Sequence, residues 1–209
     1  MGAELNWREG LGRRLIPWLL MPLLILGAVA ETASGQHQTR TKVFSSGTIN
    51  RPIPDPEGIA GIEIAQNRRV RVRGVIRDVN LAVRITHPDA QSLELGAFHA
   101  TPNGVIEFVN LKERGTLLDP MGADFGTGAE ACRGSVFTVF DSQSPTSITD
   151  GGPPFAGRFA PLSNLRTFNR SQLRGRWGLE LLDTTDGDAG VLNCWRIRVR
   201  YKPRPRHRR

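Results

Sequence analysis

A strict alternation of apolar and polar residues constrains the fold of this chain more than any other feature. Residues 79–86 and 195–201 each place an apolar side chain at every second position, and the intervening residues of the second segment are Arg196, Arg198 and Arg200. A period of two is that of a β-strand with one buried face. Shorter alternating or apolar segments predict further strands at 69–73, 93–97, 105–109, 136–140 and 177–181.

Turn-forming residues separate these segments, and the chain contains 23 glycines and 14 prolines. After residue 30, no segment of ten or more residues shows the apolar stripe of a helix. Short strands between frequent turns predict an all-β fold, an antiparallel jelly-roll-like β-sandwich. The stretches 110–134 and 141–175 are polar and rich in glycine and proline, so we expect long connections there.

The first 30 residues have the pattern of an export signal. Arg13 and Arg14 precede the apolar run 15–30, which ends in Ala-Val-Ala. These features predict a signal peptide over 1–30, cleaved after Ala30. A retained membrane anchor is the alternative, although a sixteen-residue run with two prolines is short for a span. We therefore expect a secreted, extracellular protein with a linker over 31–42 and one domain over 43–201.

The two cysteines, Cys132 and Cys194, are informative because of the expected destination. Disulfides form and persist in oxidising compartments, so a bridge between the two is predicted. Two buried free thiols are the alternative. The sequence has no C-x-x-C pair, and its four histidines are scattered, so nothing indicates a zinc site.

The net charge of +8 suggests an anionic partner only until the charges are located. Residues 1–36 are neutral, residues 37–201 carry +3, and the tail 202–209 carries five basic and no acidic residues. We expect no specific nucleic-acid ligand. The tail either contacts anionic surfaces or only aids solubility. The arginine-rich segments 69–73 and 196–200 either bind a polyanion or form solvated strand faces.

Four blocks of sequence occur in order and together carry a family resemblance. They are Ile-Pro-Asp with the isoleucines of 53–64, V-N-L-A-V-R-I-T-H at 79–87, V-F-D with P-F-A-G-R-F-A-P-L-S over 139–163, and G-R-W-G-L-E-L-L-D with G-D-A-G-V-L-N-C-W over 175–195. This order resembles the P domain (P/Homo B domain) of proprotein convertases and other subtilisin/kexin-type proteases, over nearly all of 43–201. The resemblance implies a jelly-roll-like sandwich that helps an adjoining serine protease domain to fold.

No nucleophile loop of the G-T-S-x-A type occurs in the sequence, so we expect a non-catalytic module. Its expected partner is a separately encoded subtilisin-like protease or another secreted protein. A fragment of a protease encoded elsewhere and a calcium-dependent carbohydrate- or protein-binding module are the alternatives. His87 matches the family's strand-ending histidine and should fix a strand end. Trp177 and Trp195 should pack in the core, with sugar stacking as the other possibility.

The resemblance also implies calcium, since P domains often bind it through loop carboxylates. Calcium takes six to eight oxygen ligands. The candidate ligands are Asp141, Asp183, Asp186 and Asp188. The sequence departs from the family by having Ser92 and Ser142 at positions that are usually acidic. Aspartates and glycines in 183–190 are also typical of a tight turn.

Overall fold

The computed structural model describes residues 38–54, 62–117, 123–130 and 132–204, and these residues form two β-sheets. The expected signal peptide 1–30 and the last five residues of the expected tail lie outside the described residues. The first sheet contains β1 (Arg40–Ser45), β2 (Arg51–Ile53), β4 (Gly74–Thr86), β7 (Thr138–Phe140), β8 (Gly157–Phe159) and β10 (Gly190–Pro203). The second sheet contains β3 (Ile62–Val70), β5 (Leu93–Ala100), β6 (Ile106–Lys112) and β9 (Gly175–Asp183).

The prediction of an all-β sandwich is confirmed. The strand order is β1-β10-β4-β7-β8 in the first sheet, with β2 also paired to β10, and β3-β9-β5-β6 in the second. Among the described strands β7 and β8 form a parallel pair, and the other pairs are antiparallel. Two short 3-10 turns, Ile148–Asp150 and Leu165–Phe168, lie in the connections. In the described part of the chain, no helix has the length and apolar character needed to cross a bilayer.

The long strand β10 shows why the alternation predicts the sandwich. Trp195, Ile197 and Val199 are buried on its inner face, whereas Arg198 and Arg200 are exposed on the other. β10 pairs with β4 from Val191 to Pro203, and with β1 and β2 along its other edge. Both edges of its backbone are therefore hydrogen-bonded, and its apolar face is free to form the core.

Residues from both sheets share one core. Trp177 of β9 and Trp195 of β10 are each only 1% exposed, so the prediction that they pack inside is confirmed. Because neither ring reaches the surface, neither can stack on a sugar. Trp177 also donates a hydrogen bond from Nε1 to the Leu173 carbonyl, 3.1 Å away, which satisfies its polar atom.

The predicted strand over 69–73 is wrong. β3 ends at Val70 and β4 begins at Gly74, so Arg71–Arg73 is the connection that crosses from the second sheet to the first. Val70 is buried and Val72 packs partly against the core, and this pair of inward side chains produced the misleading alternation. The next strand begins at Gly74, where a larger residue would not fit because its Cβ would lie 2.5 Å from the Tyr201 ring.

The boundaries of several connections also differ from expectation. β1 begins at Arg40, inside the expected linker 31–42, and β10 continues to Pro203, inside the expected tail. β6 extends to Lys112, inside the expected connection 110–134. The expected connection 141–175 contains β8, whose three residues pair with β7. A strand this short is too small for any period to show in the sequence.

Cys132 and Cys194 form a disulfide that joins a loop to the middle of β10. The bridge packs against Phe137 in a small cluster of its own. The Arg196 guanidinium lies 4.0 Å from the centre of the Phe137 ring and donates a hydrogen bond to the Cys132 carbonyl at 3.0 Å. An arginine of the outer face therefore holds the disulfide loop.

We expect the double variant Cys132→Ala/Cys194→Ala to lose about 4 kcal/mol of unfolding free energy, because the bridge closes a loop with a sequence separation of 62. Urea unfolding followed by tryptophan fluorescence measures this loss. The matched control is the wild type unfolded in the presence of a reductant, which should have the same midpoint as the double variant. An unchanged midpoint in both would show that the bridge contributes nothing to the fold.

Candidate functional site

A buried histidine–aspartate contact joins the two sheets. His87 follows the end of β4, Asp183 ends β9, and Nε2 of the first lies 2.9 Å from Oδ2 of the second, with both side chains fully buried. The Asp89 backbone N–H donates to Nδ1 of His87, so the ring proton is on Nε2 and points at the carboxylate. The prediction that His87 fixes a strand end is confirmed.

The space around this pair is closed. A Cβ at Gly190 would lie 2.2 Å from the His87 ring, so only glycine fits there. The second carboxylate oxygen of Asp183 accepts a hydrogen bond from the Thr185 N–H at 3.3 Å. The backbone N–H of His87 donates to Asp124 Oδ1 at 2.9 Å. Neighbouring protein groups therefore bind every polar atom that the pair presents.

Asp141 belongs to a separate cluster, beyond the end of β7 in the first sheet. Its Oδ2 accepts hydrogen bonds from Asn80, at 3.2 Å, and from the Arg158 guanidinium. Its Oδ1 accepts from the Gln143 N–H at 2.9 Å. Arg158 is half-exposed and Asp141 is buried, so the ion pair covers the carboxylate at the edge of the sheet.

The four predicted calcium ligands do not form one site. Asp183 is bound to His87, Asp141 belongs to the Asn80–Arg158 cluster, Asp186 is exposed and Asp188 is half-buried in the loop between β9 and β10. Across the described ranges, no three carboxylate, histidine or cysteine side chains gather as metal ligands. Calcium binding stays a prediction of the resemblance.

His99, which lies beyond the predicted strand 93–97, is part of β5, and its side chain is fully buried. Its ring stacks on Trp177 at a centroid distance of 4.1 Å, and Nδ1 lies 3.3 Å from Glu107 Oε2. Burial lowers the pKa of His99, against the opposing effect of Glu107. Continuing the alternation of Leu93, Leu95 and Ala97 by one step would have placed it in the core.

Lys112 is a buried cation at the end of β6 that the sequence analysis does not single out. Its Nζ donates to the carbonyls of Gln91, at 2.8 Å, and Leu93. Burial lowers the pKa of Lys112 to about 8, although Asp89 and Glu94 act to raise it. A shift in the β5–β6 register places Leu95 opposite Lys112 and Gly96 opposite Asn110. At this irregularity the lysine side chain reaches the carbonyls of Gln91 and Leu93.

An apolar patch lies at the start of β6, on the edge of the second sheet. We call Val105, Ile106 and Phe108 the β6 patch; they are 52%, 70% and 47% exposed. Backbone N–H groups of Leu162 and Ser163 bond to the carbonyls of 111 and 110, so a loop covers only the later half of the strand. Exposed apolar side chains on an open strand edge are typical of a protein-binding surface.

Glycines bring aromatic rings onto the outer face of the second sheet next to this patch. A Cβ at Gly96 would lie 2.4 Å from the Phe108 ring, and one at Gly178 would lie 2.3 Å from the Phe98 ring. Each ring therefore lies across a neighbouring strand. Beside them is an open cleft of about 360 Å³, whose lining includes Glu94 and Lys112.

Comparisons with known proteins give only distant matches. No protein-family model and no curated protein match the chain. It is similar to the Aeromonas sobria serine protease in complex with its chaperone, at 14% identity and a TM-score of 0.43, covering 80% of this chain and 28% of that one. The same protease without the chaperone matches at 15% and 0.41, covering 78% and 27%. A structure of infectious bursal disease virus, Gx strain, matches at 9% and 0.37, covering 80% and 37%.

The chain thus spans less than a third of the protease chains that it matches, at 28% and 27%. TM-scores this low carry no argument about function. What the site can do has to be argued from its own residues.

We expect Asp183→Ala to lower the unfolding free energy by about 3 kcal/mol, because it leaves a buried imidazole without its partner. Asp188→Ala is the matched control on the same loop and should change it by less than about 0.5 kcal/mol. Thermal melts of both variants and of the wild type, with calcium and with EDTA, make the measurement.

Since protein donors already bind Asp183 and Asp141, calcium should leave the wild-type midpoint unchanged. A calcium-dependent rise that Asp188→Ala abolishes would contradict this account and support a cation site in the loop.

Lys112 should make stability depend on alkaline pH. Below a pH of about 8 the folded chain carries a buried charge. Between that value and the ordinary lysine pKa of 10.5, the folded protein releases the proton while the unfolded chain retains it, so the unfolding free energy should rise with pH. Urea unfolding across this range tests the effect, with Lys112→Met as the control that should lose the rise. Parallel pH profiles for the two proteins would refute it.

Proposed function

We propose that this chain is a secreted, non-catalytic P-domain module that associates with a subtilisin/kexin-type serine endopeptidase and stabilises it. The observation that carries the proposal is the buried His87–Asp183 contact. His87 comes from the second block of the P-domain resemblance and Asp183 from the fourth, and the two close on each other at 2.9 Å. Residues that were grouped by resemblance alone thus meet as one structural unit.

The strand pairing supports the same resemblance. The second block forms most of β4 and the fourth block includes the start of β10, and these strands pair along almost their whole length. The third block contains the last two residues of β7 and the whole of β8, which pair with each other. Parts of the second, third and fourth blocks therefore build neighbouring strands of the first sheet, as parts of a single domain pattern would.

The buried histidines favour a role without catalysis. A catalytic base has to come within hydrogen-bond reach of a substrate proton. The side chains of His87 and His99 are each fully buried, the first against Gly190 and the second under Trp177. Their partners are carboxylates and rings of the core, which favours a structural role for both histidines.

The disulfide supports the proposed secretion. A bridge between Cys132 and Cys194 is stable in an oxidising compartment, which agrees with the expected signal peptide over residues 1–30. A module that acts outside the cell also requires its partner to be exported.

The β6 patch is the surface that we assign to the protease. Its side chains are apolar, and the backbone of its half of β6 is not covered by the loop that caps Asn110 and Leu111. A folded protease domain offers the large, preformed surface that such a patch requires, and burial of apolar area would drive the association.

A carbohydrate is the second candidate, and a specific observation favours it. The tip of the half-exposed Phe108 ring lies against Gly96, beside the cleft that Glu94 and Asn110 line. An exposed aromatic face next to polar groups can stack on a sugar ring. This candidate does not use Trp177 or Trp195, which are buried.

We expect the tagged wild-type protein to capture a serine protease from culture supernatant, and the variant Ile106→Lys/Phe108→Lys to lose the capture by about tenfold or more. A fluorophosphonate probe that labels active serine hydrolases identifies the captured protein, and its half-life at elevated temperature should increase with bound module. The matched control is Val43→Lys, which changes an equally exposed valine on the edge strand β1.

Two outcomes would contradict the proposal. One is equal loss of capture by the control and by the patch variant. The other is cleavage of casein by the purified chain alone, blocked by a serine-directed inhibitor. A glycan array separates the second candidate, because binding to a neutral glycan that Phe108→Lys removes would assign the patch to carbohydrate.

A further inference from the structure

Arginines gather at one end of the sandwich, where β3 and β10 end and where β1, β4 and β9 begin. The crossing segment Arg71–Arg73 joins the two sheets there. Seven arginines line two adjacent clefts on either side of this segment, and we call them the arginine end: Arg40, Arg69, Arg71, Arg73, Arg174, Arg176 and Arg204.

The first cleft lies at the end of the second sheet and has a volume of about 330 Å³. Among the described residues, its charged lining consists of Arg69, Arg174 and Arg176, without an aspartate or glutamate. Arg69 and Arg176 are direct partners in the β3–β9 register. Like charges directly opposite each other destabilise a sheet, and a bound anion would relieve their repulsion.

The second cleft lies at the end of the first sheet and has a volume of about 450 Å³. Its charged lining within the described ranges consists of Arg40, Arg71, Arg73 and Arg204, again without an acidic residue. Only Val70 separates Arg69 of the first cleft from Arg71 of the second, so the two clefts lie side by side.

These charges are not neutralised within the described part of the protein. The ion pairs between described residues involve Arg84, His87, His99 and Arg158, and none of the seven arginines takes part in one. Six of the seven side chains are exposed and Arg174 is half-buried. A concave surface of one sign concentrates ions of the opposite sign.

The end of the sequence adds to the same charge. β10 stops at Pro203, and Arg204 belongs to the second cleft. Three further arginines, Arg206, Arg208 and Arg209, follow in the sequence and lie outside the described residues.

We propose that the arginine end binds an extended anionic polysaccharide whose sulfate, phosphate or carboxylate groups occupy the two clefts in turn. The planar guanidinium group binds such oxyanions through two parallel hydrogen bonds, which lysine cannot do. Two adjacent open clefts suit a chain of anions better than one small ion. The proposal does not rest on the proposed association with a protease.

A glycan fits better than a nucleic acid. Single-stranded nucleic acids bind through aromatic side chains on which the bases stack. Of the described residues that line the two clefts, Tyr201 is the one aromatic, and it is 7% exposed. The clefts thus offer charge without a stacking surface.

Fluorescence titration with a labelled heparin oligosaccharide, at salt concentrations around 0.15 M, tests the proposal on the full mature chain. Each cleft is neutralised separately, and each triple variant should weaken binding by about tenfold and lower the slope of log K against log salt by about two. The first-cleft variant is Arg69→Gln/Arg174→Gln/Arg176→Gln. The second-cleft variant is Arg40→Gln/Arg71→Gln/Arg73→Gln.

The matched control removes three exposed arginines elsewhere and should change affinity by less than about twofold. It is Arg114→Gln/Arg133→Gln/Arg166→Gln. Thermal melts serve as the check on folding, and the first-cleft variant should melt no lower than the wild type because it relieves the Arg69–Arg176 repulsion.

Three outcomes would overturn the proposal. The control could weaken binding as much as the cleft variants, which would reduce the effect to net charge. A chain that ends at Arg204 could lose all binding, which would place the site in the tail. A double-stranded DNA of the same charge could bind more tightly than heparin, which would identify a nucleic acid as the ligand.

Discussion

The pairing of β10 with three other strands is the constraint on which the rest of this structure depends. β10 is hydrogen-bonded to β4 on one edge and to β1 and β2 on the other. It carries Cys194 of the disulfide and Trp195 of the core, and it ends where Arg204 enters the second cleft. One strand thus fixes the core, the covalent bridge and the position of Arg204.

Buried polar groups hold the second sheet to this frame. His87 and Asp183 satisfy each other between the sheets, His99 is held by Glu107 and Trp177, and Lys112 donates to two carbonyls. Removing such groups from water is costly unless each finds a partner in good geometry. These contacts therefore restrict how the strand ends can be arranged.

The sequence predicts what depends on local periodicity and fails where the cause is long-range. The strands around Val79–Ile85 and Trp195–Tyr201, the buried tryptophans and the role of His87 all follow from alternating residues or from a motif. The strand over 69–73 fails because Val72, although it packs partly against the core, lies in the segment that crosses between the sheets. Spacing in the sequence also does not reveal that Asp141 contacts Asn80 and Arg158 while Asp183 contacts His87. The burial of Lys112 cannot be read from the sequence, because it follows from a shift in the β5–β6 register and not from alternating residues.

The position of the basic side chains also depends on long-range strand pairing. Arg40, Arg73 and Arg204 are far apart in sequence. A short segment of the sequence that contains one of them therefore does not contain the other two. Antiparallel pairing places the start of β1 and of β4 beside the end of β10, so charges that are separate in the chain become adjacent at one end of the sheet. A small net charge over residues 37–201 is therefore compatible with a strongly basic surface, because a sum over the sequence carries no information on where the side chains meet. Topology, rather than composition, decides whether a basic chain has a binding surface.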